Sequence, residues 1–159
     1  VFSLLIKNCS IFLLGNACTS VKFITWEKNK QIILFDGVCN LCNNAVQFVI
    51  KRDKKDVFRY AALQSEVGQQ LTKERGIDTS KVDSIILIDP GTAYYTKSTA
   101  ALEIGKQLSG YKGISSVFAW IPSPIRDIVY DFIARNRYNW YGKKDQCMIP
   151  TPELKAKFL

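Results

Sequence analysis

The stretch Gln31-Ile32-Ile33-Leu34-Phe35-Asp36-Gly37-Val38-Cys39-Asn40-Leu41-Cys42 constrains the fold more than any other part of the chain. A nearly continuous apolar run stopped by Asp-Gly reads as a buried central strand ended by a turn. Directly after it, Cys42, Val46, Val49 and Ile50 recur at helical spacing, while Asn43, Asn44, Gln47, Lys51 and Arg52 take the opposite face. That pattern predicts an amphipathic helix starting at or just after Cys39. A strand therefore feeds a helix through one tight turn, and two cysteines three positions apart sit at the junction.

The elements that follow are consistent with one α/β domain. Val57-Phe58-Arg59-Tyr60-Ala61 reads as a second strand, and 65–75 as a second helix ended by Gly76. Ser84-Ile85-Ile86-Leu87-Ile88-Asp89 is a third strand, Pro90-Gly91-Thr92 a turn, and Ala93-Tyr94-Tyr95-Thr96-Lys97 a fourth strand in a hairpin with it. Ser98 is expected to cap a helix through Leu108. The remainder reads as helical over 114–120, broken at Pro122-Ser123-Pro124, and helical again with Ile125, Ile128, Val129, Phe132 and Ile133 on one face. From Tyr138 onward the tail is aromatic, basic and irregular. A βαβ unit, then a hairpin and a helix, is the order of a thioredoxin-like domain, although other α/β folds share it. The expected architecture is a four-stranded mixed sheet with flanking helices and an additional C-terminal helical segment.

At 159 residues the chain fits a single domain. We place that domain at 21–159 and read 1–20 as an N-terminal extension, either signal-like or foreign to the native domain. Its apolar run over 1–14 is shorter than the roughly 20 residues of a membrane span. Leu14-Gly15-Asn16-Ala17-Cys18 only partly matches a lipoprotein cleavage site. Residues 1–20 are expected to be dispensable for folding and activity.

Lys and Arg outnumber Asp and Glu by 22 to 14, and there is no histidine. Imidazole-based acid–base catalysis, Ser-His-Asp or Cys-His activation and imidazole zinc ligation are thereby excluded. The five cysteines, at 9, 18, 39, 42 and 147, lack the dense spacing of a secreted disulfide scaffold. The close pair reads instead as redox chemistry.

Two cysteines on the first turn of a helix can close a disulfide with little backbone movement. Cys39, at the helix N-terminus, is expected to have a lowered pKa and to be reachable, so it is the expected attacking thiol. Cys42 shares the stripe of Val46 and Val49, so it is expected to be buried and to resolve the mixed disulfide. Asp36, just before the turn, either passes the Cys42 proton or caps backbone N–H groups; the two roles are compatible. Other readings are two inert buried thiols, a metal site, for which no second close cysteine pair exists, and a redox-fold scaffold that binds partners without turnover. A module binding nucleic acid or an acidic partner is a further alternative, resting on the charge of +8 and on Arg135-Asn136-Arg137-Tyr138-Asn139-Trp140-Tyr141.

The sequence resembles the DCC family of predicted thiol-disulfide oxidoreductases, whose signature is Asp-x-x-Cys-x-x-Cys. Ile33 to Cys42 looks like its leading motif. Phe58-Arg59-Tyr60-Ala61, the Asp83-Ser84 to Ile88 strand, Ser98-Thr99-Ala100, and Arg135-Asn136-Arg137-Tyr138 with Gly142-Lys143 and Cys147 are further similarities. The resemblance implies a thioredoxin-like fold and protein-disulfide reductase-type activity, with Asp36, Cys39 and Cys42 as signature residues and no cofactor. One departure from thioredoxin is that Lys81-Val82-Asp83-Ser84 contains no proline before the third strand. The resemblance also suggests that Arg135, Arg137, Lys143, Lys144 and Cys147 fold back near the site, against the alternative of a solvated basic tail. The expected partner is a protein or small-molecule disulfide or thiol, glutathione-like compounds included, with no nucleic acid and no membrane unless 1–20 serve as an anchor. A reductase in a reducing cytoplasm is the expected setting.

Overall fold

The run Gln31–Phe35 forms strand β1, and its side chains alternate between two apolar layers. Ile33 and Phe35 pack with Val46, Phe58, Tyr60, Leu87, Ala100 and Ile104 on one face. Ile32 and Leu34 pack with Ala61, Leu71, Ile77, Ile86 and Ile88 on the other. The run is continuously apolar because both faces of the strand are covered. Fully burying a side chain such as Leu34 contributes about 1.5–3 kcal/mol.

The computed structural model describes residues 30–79, 85–89, 91, 93–145, 151–152 and 154–159. The expected 1–20 extension and the 81–84 segment lie outside the described residues. After β1 come α1 (Asn40–Arg52), β2 (Phe58–Ala62), α2 (Glu66–Glu74), β3 (Ile86–Ile88) and β4 (Tyr94–Thr96). Then follow α3 (Lys97–Gln107), α4 (Lys112–Ala119), α5 (Ser123–Tyr141) and a 3-10 turn at Lys155–Lys157. The strands form one sheet in the order β2-β1-β3-β4. β1 runs parallel to β2, with Ile33 opposite Tyr60, and antiparallel to β3, with Ile33 opposite Leu87. β3 and β4 form the antiparallel hairpin. This mixed four-stranded sheet with flanking helices is the expected thioredoxin-like architecture.

Local chemistry fixes the connections. The buried Asp53 carboxylate closes the α1–β2 turn by accepting the Val57 and Phe58 backbone N–H groups, both at 3.0 Å. Ser65 caps α2 by accepting from the Gly68 N–H at 3.1 Å. A Cβ at Gly68 would lie 2.1 Å from the Ala62 carbonyl oxygen, so glycine lets α2 approach β2.

The C-terminal half differs from the sequence reading in three ways. α3 begins at Lys97 with Thr96 at its cap position, and Ser98 lies inside the first turn, where its hydroxyl donates to Asp127 instead of capping. α5 continues to Tyr141, so the tail is helical through that residue. The stripe of Ile125, Ile128, Val129, Phe132 and Ile133 points outward, with Ile128 70% exposed. Polar anchors on the opposite face set this rotation: Asp127 binds Ser98, Asp131 pairs with Lys97 at 2.8 Å, and the Tyr130 hydroxyl accepts the Ile85 N–H at 3.1 Å. Among the described residues no helix is long and apolar enough to cross a membrane.

Candidate active site

The turn between β1 and α1 is held from within and from β2's end. The Asp36 carboxylate accepts the Val38 N–H at 3.2 Å, and the Cys39 N–H donates to the Asp36 carbonyl at 3.3 Å. The Gln64 side chain accepts the Gly37 N–H at 3.1 Å, and the buried Asn43 amide donates to the Gly37 carbonyl at 3.0 Å. Cys39 is thereby fixed in extended geometry as the N-cap of α1, and its Sγ accepts the Cys42 N–H at 3.3 Å. A sulfur in this position occupies the site where helix N-termini favour an anion.

Both cysteines are free thiols in the structure. The Cys42 thiol is pushed well above the usual thiol range, first by burial, then by its hydrogen bond to Cys39 and by the Cys39 charge. The Arg137 charge pulls the other way, and the Asp36 charge adds to the rise.

Accessibility is the reverse of the sequence expectation. Cys39, expected to be reachable, is 0% exposed, whereas Cys42, expected to be buried, is half-buried. The cause is the segment that follows α5. Residues 142–144 lie across the cysteine turn: Cys39 pairs antiparallel with Lys143, and the Lys144 N–H donates to the Val38 carbonyl at 2.8 Å. The Asn40 side-chain amide donates to the Tyr141 carbonyl at 2.8 Å and ties the strap to α1. Gly142 permits the turn into the strap with φ of 78°, in the left-handed region.

Asp36 is the centre of a polar cluster. One carboxylate oxygen accepts from Val38 N–H and from Gln64 Nε2 at 2.8 Å; the other accepts from Arg137 Nη2 at 3.1 Å and from the Tyr138 hydroxyl. Burial alone would raise its pKa, but the hydrogen bonds from Tyr138, Gln64 and Val38 and the Arg137 charge together bring it below the ordinary value. Burial and the same hydrogen bond push the Tyr138 hydroxyl up to about 12, so it stays protonated and donating. Asp36 thus caps the turn and stands as a fixed negative charge beside the pair, which places the capping half of its expected role in the structure.

The basic cluster divides. Arg137 is buried against Asp36, and the backbone of Lys143 and Lys144 lies across the cysteine turn while both residues stay exposed to solvent. Arg135 is exposed on α5, and Cys147 lies outside the described residues, as do Cys9 and Cys18. Gln64 and Tyr138 were not singled out as partners of Asp36 from the sequence. The signal for Tyr138 is its place in the Arg135-Asn136-Arg137-Tyr138 stretch that carries the family resemblance, and Gln64 has none.

A family model described as DCC1-like thiol-disulfide oxidoreductase matches residues 33–143, which takes in the cysteine turn, Arg137 and the strap as far as Lys143. The chain belongs to that family. It is 50% identical over 129 residues to the uncharacterized protein YuxK of Bacillus subtilis (strain 168), covering 81% of this chain and 93% of that protein. It is 37% identical over 122 residues to a DCC family protein of Arabidopsis thaliana described as chloroplastic, covering 76% of this chain and 70% of that protein. No solved structure gives a match. Among the described residues, no three Cys, Asp or Glu side chains gather in a way that would hold a metal ion.

Proposed function

We propose that this member of the family is a protein-disulfide reductase whose Cys39/Cys42 pair cycles between dithiol and disulfide. The observation that carries this reading is the placement of the two sulfurs. Cys39 Sγ caps α1 and accepts from the Cys42 backbone, while the Cys42 thiol keeps its proton and donates it toward Cys39. Cys39, at the N-terminus of α1, is therefore the attacking sulfur, and the protonated Cys42 the resolving one.

The Cys39 thiolate attacks one sulfur of a substrate disulfide. The substrate S–S bond breaks, and the departing thiolate takes a proton from water. Once Cys39 is bound in the mixed disulfide, its hydrogen bond and charge no longer hold the Cys42 proton, while Arg137 still favours the Cys42 thiolate. Cys42 then loses its proton and attacks Cys39 Sγ, which releases the second substrate thiol and closes the Cys39–Cys42 disulfide. Two electrons pass from the pair to the substrate, and a cellular thiol restores the dithiol. Attack by Cys39 requires the strap 142–144 to lift. Asp36 orients the turn and Arg137 and stays ionised, and water carries the protons. The setting that suits this direction of electron flow is a reducing cytoplasm.

The nucleic-acid alternative has less support. Along 135–141 the basic and aromatic side chains do not form one outward stripe, because Arg137 and Tyr138 turn inward to Asp36.

The test is reduction of a disulfide-containing reporter protein. A Cys39→Ser variant should lose activity, and Cys42→Ser should accumulate mixed disulfides through Cys39. Equal activity of Cys39→Ser and the parent overturns the reading.

A further inference from the structure

An apolar cleft of about 280 Å³ opens beside Cys42. Among the described residues its walls include Leu41 and Ala45 of α1, Ala101 of α3, Ile133 and Ala134 of α5, and Ile85 just before the inner strand β3. Cys42 contributes to the wall, and among the described residues the charged part of the lining is Asp36 and Arg137, which are paired with each other. α5 thus supplies one apolar wall of a space that reaches Cys42.

Three properties select an occupant. The first is size, because about 280 Å³ lies at the small end of ligand pockets and suits one short side group. The second is chemistry. A glutathione-like thiol would bring carboxylates, an ammonium and amides against alanine, leucine and isoleucine, and would desolvate them without partners. The third is position. With Cys42 in the wall, a group in the cleft lies beside the cysteine turn, and the sulfur that carries it can meet Cys39 once the strap 142–144 has lifted.

Resting on the redox reading above, we propose that the cleft seats a short aliphatic or single-ring aromatic group carried directly on one sulfur of the disulfide substrate. Beside protein disulfides, the substrate class is therefore a small lipophilic disulfide reduced by the same Cys39/Cys42 cycle, with glutathione disulfide disfavoured. The Cys39 thiolate attacks the sulfur that bears the apolar group, and the S–S bond breaks. The other half leaves as a thiolate that takes a proton from water. Cys42 then attacks Cys39 Sγ, the apolar thiol departs with a proton, and the two electrons of the dithiol have passed to the substrate.

Alkyl methanethiosulfonates, which transfer an alkylthio group to a thiolate with loss of methanesulfinate, provide a homologous probe series. The full chain is treated with the methyl to hexyl reagents, and formation of the Cys39–Cys42 disulfide is followed by peptide mapping, with rates taken relative to free cysteine. The relative rate should rise roughly two- to fourfold per methylene and level off once the chain fills the cleft. The charged sulfonatoethyl reagent should be slower than butyl. Ala45→Phe and Ala101→Phe, which fill the cleft from two different helices, should each flatten the series. A rate independent of chain length, a sulfonatoethyl reagent as fast as butyl, or a series equally steep in both variants overturns the lipophilic-substrate proposal and leaves the redox reading standing. Formation of neither an adduct nor a disulfide at Cys39/Cys42 with any reagent overturns the redox reading itself.

Discussion

Arg137 reaches back across 101 residues of sequence to place Nη2 3.1 Å from the Asp36 carboxylate, with both side chains almost fully buried. The Tyr138 hydroxyl joins them, accepting from Arg137 at 2.9 Å and donating to Asp36. The contact fastens the C-terminal end of α5 to the end of β1, so the order of the cysteine turn depends on a helix at the far end of the chain.

Removing one partner of this pair leaves a buried, uncompensated charge. We expect Arg137→Met to lower stability by about 3–5 kcal/mol. Arg137→Lys should cost less, since it keeps the charge and loses the planar fork. Urea unfolding measures both, and the double variant with Asp36→Asn should recover part of the loss. A single-variant cost below about 1 kcal/mol would show that the pair is not closed in solution.

The same cluster sets a pH dependence. The Asp36 pKa is lower in the folded protein than its ordinary value of 3.8. Below that value the unfolded chain binds more protons at this residue than the folded one. The stability that Asp36 contributes is therefore present above about pH 4 and is lost as pH falls through the folded value. Asp56, held down by Lys157, Arg59 and Lys30, acts in the same direction but is more exposed. The difference in unfolding free energy between the parent and Asp36→Asn should thus stay level from pH 6 to about pH 5 and shrink as pH falls from there toward pH 2. A difference that stays constant with pH would contradict the assignment.

The strap makes a separate claim about access. Cys39 is covered by residues 142–144, which are tied down by the Asn40–Tyr141 hydrogen bond. Asn40→Ala removes a contact of about 1 kcal/mol, enough for roughly a fivefold larger open population. Gly142→Ala should act in the same direction, because φ is 78° there and a Cβ would lie 3.3 Å from Asn40 Nδ2. Alkylation of Cys39 at fixed pH, read by peptide mapping, should accelerate several-fold in both variants. Unchanged rates would mean that the strap does not limit access.

The division between what the sequence revealed and what it concealed follows sequence distance and the partner of each face. β1, the turn and α1 are read directly from residues 31–52, because the apolar run, the Asp-Gly stop and the helical stripe are local signals. The sheet order follows from the hairpin and the βαβ unit. Burial of Cys39 was misjudged because it depends on Lys143 and Lys144, about a hundred positions away. Periodicity located the apolar stripe of α5, but Asp127, Tyr130 and Asp131 decide which side faces the sheet, and their partners Ser98, Ile85 and Lys97 lie in other elements.

The two cysteines should also report on each other. Burial, the hydrogen bond to Cys39 and the Cys39 charge all raise the Cys42 pKa, and the Cys39 charge is lost when Cys39 is replaced by a neutral residue, while burial and the Asp36 charge remain. In Cys39→Ser the alkylation profile of Cys42 should therefore move to lower pH than in the parent. In an Arg137→Met background it should move to higher pH, since the Arg137 charge favours the Cys42 thiolate. The two shifts have opposite signs, which a general loosening of the structure would not produce, because exposure to water lowers a raised thiol in both variants. Rates of iodoacetamide alkylation followed at Cys42 across pH 6–11 measure both. Shifts of the same sign would remove the electrostatic coupling on which the order of proton loss depends, and with it the assignment of Cys39 as the sulfur that attacks first.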